Sequence, residues 1–128
     1  MRFGYVITYV PDVAATVAFY TAAFGLQPRF IHDSGTYAEL ETGATALAFA
    51  NEDFAAGNGH HFRPTRPDEP APGIEIALVV DDVEAAYATA CAAGAISAAA
   101  PKSMPWGQVV SYVRDCNGVL VELCSQVK

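Results

Sequence analysis

Glu122 is the residue whose surroundings suit its chemistry least, a carboxylate set among Val119, Leu120, Val121 and Leu123. An ionised group on an apolar strand needs water, a partner or a metal, or its pKa shifts until it is neutral. Turned into a cavity, it would serve as a general base, a metal ligand or a counter-ion. Turned outward from a half-exposed strand, it would be ordinary surface. Other residues that do chemistry are few. The three cysteines, Cys91, Cys116 and Cys124, show no CxxC or zinc-type spacing. His60 and His61 are adjacent in a Gly/Pro-rich stretch, where a solvated pair is the simpler reading than a pair of ligands. His32 ends a short strand-like run with no partner in view and reads as surface.

The element that must position Glu122 is a hairpin from Trp106 to Cys124, two alternating Val/Tyr-rich runs around Asp115-Cys116-Asn117-Gly118. Asp and Asn bond their own backbone in such turns, and Gly accepts positive φ. Upstream, Phe3 to Val10 alternates as a strand and Pro11 ends it. Asp12 is placed to cap a helix whose stripe is Val13, Val17, Tyr20 and Phe24, and Gly25 is placed to close it. Strands are expected over Arg29–His32, Thr36–Thr42 and Thr45–Asn51. The stretch 52–73, broken by glycines and prolines, is expected to be an irregular connection.

The pattern then begins again. Glu75–Val80 reads as a strand, with Glu75, Ala77 and Val79 on one face and Ile76, Leu78 and Val80 on the other. Asp82 caps a helix carrying Val83, Ala86, Tyr87, Ala90 and Cys91, and Gly94 ends it. Ile96–Ala100 is a short strand, and Pro101–Pro105 is expected to be a turn. Sliding the chain seventy positions places Val10, Asp12 and Val13 on Val80, Asp82 and Val83. A duplicated β-α-β-β-β half is the best account of that match and of the shared element order. The predicted fold class is α+β: two paired βαβββ modules, about 1–51 and 74–128, whose mixed curled sheets surround a concave pocket.

Composition narrows the function. With 128 residues, 52% of them hydrophobic and 16% charged, the chain suits one folded domain. A net charge of −7 with only seven Lys and Arg excludes the basic stripe that nucleic acid needs, and argues against anionic membranes. It favours a cationic ligand. An odd cysteine count and no secretory h-region make a cytoplasmic location the expectation.

The paired halves, with Val10-Pro11-Asp12-Val13, Phe19-Tyr20, Phe24-Gly25-Leu26, Ile76 to Val83, Trp106-Gly107-Gln108 and Asp115 to Leu123, resemble the vicinal oxygen chelate superfamily. That group includes glyoxalase I, bleomycin-resistance proteins and extradiol dioxygenases. Cys116 stands where the family usually has proline. The resemblance implies metal ligands on four strands, at positions that here are Tyr5, Ala48 (or Ala46), Glu75 and Glu122. The last alone matches, and the imidazoles that iron, nickel or zinc sites use are missing. Tyr5, Glu75 and Glu122 would form a hard oxygen set suited to Mg²⁺, Mn²⁺ or Ca²⁺ but short of ligands. The alternative is a metal-free pocket in which like-charge repulsion and desolvation raise the pKa of at least one of Glu75 and Glu122, giving a general base or a counter-ion for a cationic ligand. Tyr5 would donate there, Phe49, Trp106 and Tyr112 would wall the pocket, and Arg114 would hold an acidic ligand group. Core or dimer packing is the competing account of each aromatic, and a bond to Asp115 or a turn carbonyl that of Arg114. The expected function is metal-independent sequestration of a small, cationic molecule by a homodimer. The alternative is a glyoxalase-related lyase or isomerase using Glu122 or Glu75 as base, with or without a divalent metal.

Overall fold

Two Asp-capped helices, each following an edge strand, set up the architecture. A computed structural model describes residues 1–127. In the first unit, up to Pro64, the order is β1 (Tyr5–Val10), α1 (Val13–Phe24), β2 (Pro28–Ile31), β3 (Tyr37–Leu40), β4 (Ala46–Asn51) and α2 (Glu52–Gly57). The second, from Thr65 onward, holds β5 (Glu75–Val79), α3 (Val83–Ala92), β6 (Ile96–Ser103), β7 (Val109–Arg114) and β8 (Leu120–Cys124). Each unit has one mixed four-stranded sheet: sheet A runs β1-β4-β3-β2 and sheet B runs β5-β8-β7-β6. The pairs β1–β4 and β5–β8 are parallel and the rest antiparallel. The α+β class and the repeated module are therefore as the sequence predicts.

The capping chemistry is the same in both units. Asp12 Oδ1 accepts from Ala15 N–H and Asp82 Oδ1 from Ala85 N–H, each at 3.0 Å, satisfying a first-turn donor that the helix itself cannot. Gly25, at φ +70°, closes α1 and donates to Thr21 O. Val13, Thr16, Val17, Tyr20 and Ala23 are the buried face of α1. They meet the strand residues Ala38, Leu40, Leu47 and Phe49, which point to the helix side of sheet A. In sheet B the helix side carries Ser111, Val113, Val121 and Leu123, all buried. Complete burial of side chains of this size stabilises by about 1.5–3 kcal/mol each.

Two local expectations change. The stretch expected to be irregular from residue 52 begins with α2, because Asn51 Oδ1 caps Phe54 N–H at 3.1 Å and Glu52 and Asp53 occupy the first turn. The expected turn at Pro101 is strand instead, since β6 continues to Ser103. Proline is tolerated there because β6 is the edge of sheet B and its register shifts between Ala99 and Lys102.

Candidate functional site

The open face of sheet B, opposite α3, follows from register. Ala77 lies opposite Glu122, Glu122 opposite Tyr112, and Tyr112 opposite Ala99, so these four form one row on one face. The next row is Glu75, Leu120, Arg114 and Ile96. Glu75 and Glu122 are thus diagonal neighbours with their side chains on the same face. The Tyr112 hydroxyl lies 3.4 Å from Glu122 Oε2, a long hydrogen bond. Partial burial first, and then the neighbouring carboxyl of Glu75, push the Glu122 pKa up, against a smaller opposing effect of Tyr112. Burial, then the charges of Glu122 and Glu75, push up the Tyr112 phenol. Cys124, one row beyond and buried, is raised by burial and by Glu122.

Register therefore puts Glu75, Glu122 and Tyr112 on one face of sheet B, with Glu75 exposed and the other two half-buried. Trp106 is 57% exposed on the turn between β6 and β7, its indole N–H donating to Gln108 Oε1 at 2.8 Å. Two expected roles need correction. Phe49 is not a pocket wall: it is 0% exposed and packs on Tyr20 of α1 at 5.0 Å between ring centroids. The reason is parity, since Phe49 pairs with Ala38 and Thr8 while the open face of β4 carries Ala46, Ala48 and Ala50. Arg114 is not free to hold a ligand's acid group, because its donors go to the carbonyls of Gly118, Arg66 and Pro67.

Tyr5 belongs to the first unit, where it is 57% exposed on the open face of sheet A. The corresponding row there is Ile7, Ala48, Glu39 and Phe30. Glu39, only 8% exposed, is the functional candidate that the sequence reading passed over. It accepts from the Tyr37 hydroxyl at 2.8 Å and lies 3.6 Å from the Arg29 guanidinium. Burial, and then Glu39, push Tyr37 up to about 12. Arg29 also clamps Glu41 with two bonds of 3.0 and 2.7 Å. The alternation Tyr37, Glu39, Glu41 was the signal that could have found this cluster.

Among the described residues no group of three or more His, Cys, Asp and Glu side chains is arranged to hold a metal ion. The donors gathered on this face of sheet B are two neighbouring carboxyls and a phenol whose pKa is raised. That set does not fit a metal that relies on imidazole nitrogen. His60 and His61 are exposed, with the His60 ring 6.3 Å from that of Tyr9.

The repeated module defines a class, and comparison with known proteins agrees. Residues 2–123 match the family model described as Glyoxalase/Bleomycin resistance protein/Dioxygenase superfamily. The chain belongs to that superfamily. Among similar solved structures is a glyoxalase-related enzyme from Fulvimarina pelagi, with a TM-score of 0.81 at 20% identity over 98% of this chain and 88% of that one. A family enzyme from Burkholderia phytofirmans PsJN gives 0.76 at 20% identity, covering 98% of each chain. TioX from Micromonospora sp. ML1 gives 0.74 at 20%, again over 98% of both. Identities this low speak to the fold alone. A search of the curated proteins finds no match. No described helix is long and apolar enough to cross a membrane.

Proposed function

We propose that this chain is a small-molecule-binding protein of the superfamily that holds a cationic ligand against Glu75, Glu122 and Tyr112, without the histidine-based metal site. One observation carries the reading. Two carboxyls share one open sheet face with no cation among the described residues paired to either, so an organic ammonium or guanidinium supplies the missing charge. Tyr112 orients Glu122 through its hydroxyl and offers its ring to the ligand's apolar part. The protein's net charge of −7 draws such a ligand in. The ligand is bound by a cytoplasmic homodimer in this proposal, with no part for nucleic acid or membrane. Calorimetric titration of a cationic ligand and its neutral isostere tests it. Preference for the cation that disappears in Glu122→Gln supports the reading, and equal affinity for both ligands sinks it.

A second reading is favoured by the raised pKa of Glu122. In a glyoxalase-related lyase or isomerase, Glu122 would take the proton beside a substrate carbonyl, with Glu75 holding the proton relay's second position and Tyr112 donating to the developing oxyanion. Solvent deuterium appearing in α-hydroxycarbonyl substrates would establish it. Stoichiometric divalent metal in the purified protein, lost in Glu122→Gln, would overturn the metal-free part of both readings.

A further inference from the structure

Arg114 shares the open face of sheet B with Glu75 and Glu122, yet it bonds neither. Its Nε and Nη2 donate to Gly118 O at 3.0 and 2.8 Å, Nη2 also to Arg66 O at 3.2 Å, and Nη1 to Pro67 O at 3.0 Å. Register puts Arg114 opposite Leu120, which lies opposite Glu75, so the Arg114 and Glu75 backbones stand about 10 Å apart, two strand spacings. Glu122 is a diagonal neighbour at about 7–8 Å. Both carboxyls are within the combined reach of these long side chains. A guanidinium facing carboxylates ordinarily forms paired, charge-assisted bonds with them. Something holds this one away.

The restraint is the strap of chain that opens the second unit. Its Glu69 N–H donates to Arg66 O at 3.2 Å, making a turn whose carbonyls face Arg114. The strap comes this near because residue 118 is glycine: at φ +97°, a Cβ there would stand 2.6 Å from Arg66 O. Glycine therefore serves both the left-handed backbone and the close approach. We propose that Arg114 is a positioning residue, latched by the carbonyls of Arg66 and Pro67 so that its charge stays off Glu75 and Glu122 and leaves them to a cationic ligand. The proposal rests on sheet B being the cation-binding face. Released from the strap, the guanidinium becomes an internal competitor for the same two carboxyls.

Four variants and one small probe, benzyltrimethylammonium, decide this at fixed ionic strength. Gly118→Ala pushes the strap off while keeping the arginine, and is expected to weaken probe binding about tenfold, the scale of one charge-assisted pair formed in the free protein. Adding Arg114→Gln to Gly118→Ala removes the competitor and is expected to restore the affinity. A merely structural clamp predicts the opposite, a further loss, and that result would overturn the proposal, as would unchanged binding in Gly118→Ala. A ligand-free measurement stands beside it and covers the case of poor folding in Gly118→Ala. In Glu75→Gln/Glu122→Gln the released Arg114 loses its alternative partners and the latched state is favoured, so amide exchange at Glu69 should slow about threefold. Unchanged exchange overturns the latch. Probe binding that survives Glu122→Gln sinks the acidic-face reading instead, with the latch then judged by Glu69 exchange.

Discussion

Replacing Gly118 with alanine should cost far more than replacing Gly107, although both glycines sit in hairpin turns at positive φ. Gly118 has φ +97° and Gly107 has φ +89°. Either substitution costs about 1–2 kcal/mol for placing an L-residue in the left-handed region. At Gly107 nothing lies within 4 Å of the new methyl, so the cost ends there. At Gly118 the methyl would meet Arg66 O at 2.6 Å, Arg114 Nη2 at 2.7 Å and the Arg66 carbonyl carbon at 2.7 Å. Two of those atoms are backbone, so the strap must move. Moving it stretches the Arg114 bonds to Arg66 and Pro67, each a charge-assisted bond with a net value of about 1.5 kcal/mol or more. The sum for Gly118→Ala is about 4–5 kcal/mol, against about 1–2 for Gly107→Ala. Urea unfolding followed by circular dichroism measures the difference through the midpoint at unchanged slope. In a thermal scan it corresponds to a gap of roughly 12 °C, at about 4 °C per kcal/mol for a chain of this size. Two variants within 0.5 kcal/mol of each other would refute the claim that the strap is packed on residue 118.

Three further outcomes follow from the geometry. Glu122→Gln should stabilise the protein at neutral pH by roughly 0.2–1 kcal/mol, the scale of removing one like-charge neighbour on a sheet. Because the folded state raises the Glu122 pKa, its contribution is fully present below the unfolded value, about 4.3, and is lost as pH rises through the folded one. The variant's advantage should therefore grow from about pH 4 upward and then level off, and an advantage confined to acid would contradict the assignment. Asp12→Ala and Asp82→Ala should each lose about 1 kcal/mol in urea unfolding, and additively, since they cap different helices. Phe49→Ala should lose about 3–5 kcal/mol as a core cavity, while Phe49→Leu should keep the ammonium affinity of the unsubstituted protein in titration calorimetry.

Where local chemistry decides the backbone, the sequence was readable. Asp12 and Asp82 announce helix starts because a short carboxylate can serve the first-turn amides, and Gly25 announces an end because only it tolerates the closing φ. Where the outcome depends on which side a helix covers, it was not. Ala46, Leu47, Ala48, Phe49 and Ala50 are apolar without alternation, so β4 carries no mark of which face is open. Its parity is settled by Tyr20 of α1 reaching Phe49, a contact between residues far apart in the chain. Glu39 was passed over for the same reason, since its face is known only once Ala48 is seen opposite it. The β6 extension through Pro101 was hidden because proline argues against a strand until the strand proves to be an edge. The Arg114 strap spans 47 and 48 residues and left no local signal at all.

The two units keep the same row of the sheet and fill it differently, and this difference locates the acidic face. Ile7, Ala48, Glu39 and Phe30 in sheet A correspond to Ala77, Glu122, Tyr112 and Ala99 in sheet B. Each row has one carboxylate near a tyrosine hydroxyl, at 2.8 Å for Glu39 and 3.4 Å for Glu122. In sheet A the carboxylate sits on β3 beside Arg29, whose charge answers it in place. In sheet B it sits on β8 beside a second carboxylate, and the nearby arginine is occupied by carbonyls. Duplication supplied the same geometry twice, but among the described residues only the copy in sheet B leaves its carboxylates without a paired cation. A cation has reason to bind where that charge is unanswered, and the latch on Arg114 is what keeps it so.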